Sequence, residues 1–216
     1  MLCFDPVHRV PLWAAYRLRA NDVVSARRLD AFRSDPRLSD DENPACGDYA
    51  SSGYARDHLV PRDDMNRSPA AQANTFFLSN MAPQIGPFNG GIWARLERLV
   101  REYAVAYGEV YVITGTILED PSLRLPSGRV SIPTRFYKIV LRRSEHGVPS
   151  ALALVLPHHP FHASSDRGTH AGEGADAYFT SHLAGITALE HLTGFQFFSE
   201  FLPVKRSVAA ELWPRN

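Results

Sequence analysis

Apolar residues along this chain follow two periods, and the switches between them outline the fold. Residues 1–20 hold a short apolar run, a turn at Asp5-Pro6 and a second run through Pro11-Leu12-Trp13 to Leu18, which predicts two strands joined by a turn. Residues 21–52 are polar and contain Asp35-Pro36, Asn43-Pro44 and Gly47-Asp48. That composition predicts a long loop with one short helical turn, and loops of such length often carry function. Pro69 suits the first turn of a short helix over 68–73. Residues 75–78 are β-branched and aromatic and predict a strand, whereas two prolines and a glycine predict a loop over 81–88.

The clearest helix lies over 92–106. Ile92, Trp93, Leu96, Leu99, Val100, Tyr103 and Ala104 recur at helical spacing, and Gly108 stops the run. Residues 110–117 alternate as a strand, with Gly115 at a bulge or a close backbone approach. Two more strands are predicted over 135–141 and 151–156, then a polar loop rich in His and Gly over 157–176. A helix over 183–192 closed by Gly194 and an aromatic packing segment over 195–202 complete the chain. Strands and helices in this order predict a single α+β domain over residues 1–216 with antiparallel hairpins.

Composition narrows the function classes. The chain is 44% apolar and 21% charged, ordinary for a globular protein. No apolar run is long enough to span a membrane, and Leu2-Cys3-Phe4 is too short for the apolar core of a leader. The expectation is no membrane partner, and either a cytosolic protein or one whose leader has been removed. Net charge is zero, so any contact with nucleic acid must come from a local basic cleft. Nearly all the basic residues are Arg, with Lys138 and Lys205 the two lysines. Arg suits bidentate phosphate contact, although a GC-rich genome explains the bias equally well. Cys3 and Cys46 lack metal-site spacing and could form one disulfide in an exported protein.

Candidate chemistry concentrates between residues 53 and 101. His58 follows Gly53-Tyr54-Ala55-Arg56-Asp57 and could accept a proton from an attacking water. Asn89 precedes Gly90-Gly91 and the predicted helix; it could cap that helix, and its amide oxygen could also face a divalent cation. Glu97 and Arg101 are four apart on one helix face. From spacing alone they read first as a surface ion pair worth a few tenths of a kcal/mol. A base, an amide oxygen, a carboxylate and two guanidinium groups together suit metal-assisted phosphodiester cleavage.

These motifs resemble the DNA/RNA non-specific endonucleases, the family of endonuclease G and the Serratia-type nuclease. Its signature is Asp-Arg-Gly-His, then a segment like Thr-Phe-Tyr-Leu-Ser-Asn-x-x-Pro-Gln, then a metal-binding Asn and a helix with Glu and Arg. Here Arg56 and His58 stand in the first motif, Thr75 to Gln84 match the second almost residue for residue, and Asn89, Glu97 and Arg101 follow in place. Weaker likeness reaches Arg28–Arg37, Val112-Ile113-Thr114-Gly115, Pro133 to Lys138 and Glu190 to Phe195, so nearly the whole chain is covered.

The resemblance implies a ββα-metal (His-Me finger) nuclease fold with a mostly antiparallel sheet flanked by helices. It implies a sugar-non-specific endonuclease that hydrolyses DNA and RNA through contacts to the phosphate backbone. In that scheme His58 is the general base, and Mg²⁺, with Mn²⁺ as a substitute, is held by Asn89 and through water by Glu97. Arg56 and Arg101 bind phosphate, Asn80 and Gln84 bind substrate or support the site, and a homodimer is allowed.

Two residues depart from the signature. Ala55 stands for the family Asp and Asp57 for the family Gly. Asp57 could partly replace that carboxylate, but it is displaced by two residues and is expected to point elsewhere if the backbone is strand-like. The alternative function is therefore a weakened nuclease scaffold that binds nucleic acid or an inhibitor. A near-copy of the signature, Asp166-Arg167-Gly168-Thr169-His170, lacks a following Asn and helix, and His158, His159 and His162 nearby could bind zinc.

Overall fold

The computed structural model describes residues 1–27, 29, 31–144, 146–160, 171–199 and 209–215, without the side chains of 171–173. Among the described residues, eight strands and four α-helices form the α+β architecture. The strands are β1 (Leu2–Asp5), β2 (Val10–Arg19), β3 (Tyr54–His58), β4 (Met81–Ile85), β5 (Glu109–Ile117), β6 (Arg135–Arg143), β7 (Pro149–Pro157) and β8 (Leu183–Ala184). The helices are α1 (Pro69–Thr75), α2 (Ala94–Tyr107), α3 (Ala171–Ser181) and α4 (Ile186–Thr193). Six strands make one antiparallel sheet in the order β1-β2-β5-β6-β7-β8, while β3 and β4 form a separate two-stranded hairpin.

Period-2 alternation sorts β6 onto two faces. Phe136, Lys138 and Val140 face one side, and Tyr137, Ile139 and Leu141 the other; all six are buried. The first side meets α2 through Leu96, Leu99, Val100, Tyr103 and Ala104, with Val110, Val112, Leu152, Leu154 and Leu156 from the neighbouring strands. The second side is covered by Ile186 and Leu189 of α4 and by Phe197. Leu183 and Ala184, predicted to open the last helix, instead pair with β7 before α4 begins; Gly194 closes that helix in the left-handed region at φ 72°.

Two local predictions fail, for physical reasons. Residues 75–78 are not a strand. Ser68 caps α1 through its hydroxyl, the helix runs on to Thr75, and Leu78–Asn80 is a 3-10 turn. Buried Asn80 locks that turn: its carboxamide donates to the Thr75 and Val60 carbonyls and accepts from the Val60 N–H. The β-branched and aromatic residues there reflect burial. Residues 81–85 are a strand where a loop was predicted. Pro83 lies opposite Arg56 in the β3–β4 pair, and a two-stranded ribbon leaves one edge unpaired, where a missing N–H costs nothing.

Other differences are smaller. A π-helical turn over Phe88–Trp93 precedes α2, and α3 begins inside the predicted loop over 157–176. His162, the near-copy signature at Asp166–His170 and residues 200–202 of the aromatic segment lie outside the described residues. Cys3 and Cys46 are both free, so the disulfide is not formed. No described helix is long and apolar enough to cross a membrane.

Gly115 marks a close approach, with β2 and β6 in unbroken register on either side of it. A Cβ there would overlap the Tyr137 ring and the Leu12 carbonyl oxygen. Gly115→Ala is therefore expected to cost about 1–3 kcal/mol, as overpacking does. A denaturant midpoint equal to the parent's would show that the sheet relaxes there freely.

Candidate active site

The α2 face of the sheet carries a polar patch inside an apolar core. Lys138 is fully buried and its register partner is Thr114; Nζ donates to Thr114 Oγ1 at 3.2 Å and lies 4.6 Å from the centre of the Trp93 ring. Tyr16 of β2 adds a hydroxyl, which donates to Asp64 Oδ2 at 2.6 Å. Arg101 Nη1 donates to Asp64 Oδ1 at 2.9 Å. Asp64 comes from the 3-10 turn Arg62–Met65, and its side chain is 0% exposed. Arg101 thus pairs with Asp64 and not, as spacing suggested, with Glu97. Its guanidinium also borders an open cleft of about 370 Å³ lined by Val23, Arg62, Asp63 and Asn66.

Glu97 sits beside the apolar stripe of α2 and points at the same patch. Burial pushes its carboxyl well above the ordinary range, and the nearby Asp57 pushes it further, against the pull of Lys138. Asp57 is raised too, by burial, while Lys138, the His58 backbone N–H and a hydrogen bond from Asn89 act the other way. Burial lowers the Lys138 ammonium, with Glu97, Asp64 and Asp57 opposing that shift. The structure therefore brings Asn89, Glu97 and Arg101 together around Asp57, Asp64 and Lys138. Sequence reasoning placed Asp57 wrongly. Residues two apart on a strand share a face, so Asp57 lies on the same face of β3 as Ala55, one pleat further along.

His58 and Arg56 occupy the alternate positions of β3. The His58 ring packs edge-on against Phe76, with centroids 4.8 Å apart, and lies 5.9 Å from Phe32. Arg56 stacks its guanidinium 4.1 Å above the same Phe32 ring. It borders a cleft of about 450 Å³ with Tyr49, Tyr54 and Ala55. Asn80 and Gln84, predicted to bind substrate, are both turned inward. Asn80 is committed to backbone groups, and Gln84 is fully buried beside Ala55 in the register, with neither amide atom hydrogen-bonded. His158 is no zinc ligand here, because Nε2 accepts from the Ile85 N–H at 2.9 Å and Nδ1 contacts the Pro133 carbonyl at 2.8 Å.

Several of these residues escaped the sequence. Lys138 left a signal, a charge set between Phe136 and Val140 on the buried face of β6. Asp64 left none, since nothing distinguishes it from Asp63. Tyr16 and Phe32 read as ordinary core and loop residues.

A β-hairpin bearing His58, followed by the turn bearing Asn89 and the helix bearing Glu97, defines the ββα-metal nuclease class of fold. The family model described as DNA/RNA non-specific endonuclease matches residues 1–203, and the chain belongs to that family. Mitochondrial nuclease EXOG of Xenopus laevis is 31% identical over 214 residues, 92% of this chain and 56% of the relative. Mitochondrial endonuclease G of Homo sapiens is 30% identical over 172 residues, 74% of this chain and 58% of the relative. The chain thus spans little more than half the length of these relatives. Among solved structures, the EndoG/EndoGI complex contains a chain that matches at a TM-score of 0.78 and 28% identity, covering 92% of this chain and 82% of that one.

Two outcomes follow from the buried charges and from His158. Asp64→Ala leaves the Arg101 guanidinium without its carboxylate and Tyr16 without an acceptor, and should cost about 3–5 kcal/mol in urea unfolding. A loss below about 1 kcal/mol would mean that water or another group takes over the pair. For His158, burial lowers the folded-state pKa below the ordinary value. Below about pH 6.5 the unfolded chain then binds more protons than the native one at this position. Its contribution is full above that pH and shrinks as pH falls through the window. His158→Gln should flatten the acid limb of the stability curve, and an unchanged slope would assign that limb to other groups.

Proposed function

We propose that this chain is the catalytic body of a divalent-metal-dependent endonuclease that hydrolyses phosphodiester bonds in DNA and RNA with little sequence preference. Family membership and relatives named as nucleases support the class. The buried polar cluster carries the finer reading. When ionised, Asp57, Asp64 and Glu97 outnumber Lys138 and Arg101 by one charge, and a divalent cation would turn that deficit into one positive charge facing a phosphodiester. Asp57 Oδ2 and Gln84 Oε1 are buried without hydrogen-bond partners, and both are hard oxygens. Among the described residues no three His, Cys, Asp or Glu side chains converge on one point, so an ion held here would keep most of its waters, as Mg²⁺ does.

Asn89 would hold the ion through its amide oxygen, since its nitrogen already donates to Asp57. Glu97 would hold the water shell. Bound there, Mg²⁺ or Mn²⁺ supplies Lewis-acid stabilisation of the phosphate and the leaving oxygen. The chain itself does the rest. His58 accepts the proton of the attacking water, with its ring fixed by Phe32 and Phe76. Arg56, held flat on Phe32, and Arg101, held by Asp64, bind phosphate oxygens. Contacts of this kind read the backbone and leave base sequence unread.

One observation favours the alternative of a binding module. Lys138 already supplies positive charge to the carboxylates, so the cluster could stand without a metal ion. Plasmid nicking and RNA cleavage with Mg²⁺, with EDTA, and with His58→Ala separate the two readings. The nuclease is expected to stop in EDTA and to lose about 10²–10⁴-fold in rate without His58. Plasmid retained in a gel shift but never nicked would establish the binding module.

A further inference from the structure

We propose that His158 is a positioning residue of the reaction: it fixes the hairpin bearing Arg56 and His58 against the sheet that supports Glu97 and Lys138. This inference rests on the nuclease reading above. The candidate groups are divided between two bodies. Arg56, Asp57 and His58 ride on β3, whereas Lys138 belongs to β6 and Glu97 and Arg101 to the helix packed on the six-stranded sheet. Among the described residues no ladder joins the hairpin to that sheet. Their relative offset therefore depends on contacts between side chains and backbone.

His158 stands where β7 ends and makes such contacts on both sides. A carbonyl can only accept, so the Nδ1 contact to Pro133 requires the proton on Nδ1. Nε2 is then the acceptor for the Ile85 N–H, the last backbone donor of β4. The His158 backbone N–H donates to the Thr134 carbonyl at 2.9 Å, so the residue is tied to the sheet side by main chain as well. Its ring lies 5.2 Å from Phe88 and 5.1 Å from Phe136, both edge-on, and 6.0 Å from Tyr54. One imidazole thus touches the start of β3, the end of β4, the residue before Asn89 and the neighbour but one of Lys138. A misplacement of about 1 Å in such an assembly can cost about 10²-fold in rate.

Three variants test this. In His158→Gln the amide oxygen reaches about as far as Nε2 and can accept from Ile85. In His158→Asn the amide nitrogen replaces Nδ1 and keeps the Pro133 bond, but nothing reaches Ile85. His158→Phe keeps the ring packing and loses both bonds. kcat and KM on an oligonucleotide of fixed length are measured beside the melting temperature and amide exchange at Ile85. Expected are a kcat within about threefold of the parent for Gln, and a loss of about 10–100-fold in kcat at similar KM for Asn and Phe, the usual range for groups that orient a site's ligands. Ile85 exchange should quicken in Asn and Phe alone. Parental kcat in Asn and Phe, or an equal loss in all three, overturns the proposal, whatever the melting temperatures do. An inactive parent would instead bring down the nuclease reading itself.

Discussion

A lysine withdrawn from water in the middle of the sheet sets terms for the structure around it. Lys138 is fully buried, between the apolar Phe136 and Val140 on one face of β6. An ammonium in such a place costs several kcal/mol unless opposing charge and hydrogen bonds meet it. The compensation comes from four elements distant in sequence: Glu97 from α2, Asp57 from β3, Asp64 from a 3-10 turn and the Thr114 hydroxyl from β5. Each must therefore be delivered to one face of the sheet. Asp64 brings in Arg101 and Tyr16, and Asp57 brings in the Asn89 amide. The register of α2 and the lie of the β3–β4 hairpin follow from this need as much as from apolar burial.

What the sequence disclosed follows from how far each signal reaches along the chain. The α2 stripe, the strands β5 to β7 and the stops at Gly108 and Gly194 are local patterns, so they could be read. Thr75 to Leu78 misled because β-branched and aromatic residues mark burial as readily as they mark a strand. Pro83 misled because its cost depends on whether a partner strand lies on that edge, and this is a tertiary fact. The order of Arg56, His58, Asn89, Glu97 and Arg101 was visible, but Asp64, Tyr16 and Phe32 were not, because their roles exist only where separate segments meet. Even an elementary rule was enough for Asp57: strand alternation places it on the face of Ala55, so the substitution moves a carboxylate along the ribbon and does not turn it away.

The long loop over 21–52 shows the same dependence on tertiary context. Its polar composition gave no sign of a fixed path. Yet Asp35 is buried, accepts from Ser79 Oγ at 2.5 Å and pairs with Arg37 at 2.6 Å, while the Asn43 amide donates to three loop carbonyls. This pinning holds Phe32 under both Arg56 and His58. A segment whose regular structure is little more than the 3-10 helix Cys46–Tyr49 thus supplies the shelf for the two candidate groups on β3, and its order comes largely from polar bonds.

Zero net charge bears on how such a site would meet nucleic acid. Long-range steering by the whole molecule is weak when positive and negative groups balance. Many of the arginines are also matched locally: Arg37 by Asp35, Arg62 by Asp63, Arg129 by Asp48 and Arg215 by Asp176. Arg56 differs. Among the described residues it has no carboxylate partner, and its guanidinium is held in place by an aromatic face, which orders it without neutralising it. Ala55 beside it removes a further negative charge from the same cleft. Each phosphate neutralised adds about 0.9 to the salt dependence of duplex binding. On the proposed reading, selection then falls on geometry at the scissile phosphate, which is the same at every step of a chain. On that reading, indifference to base sequence would follow from contacts that reach the phosphate backbone and not the base edges.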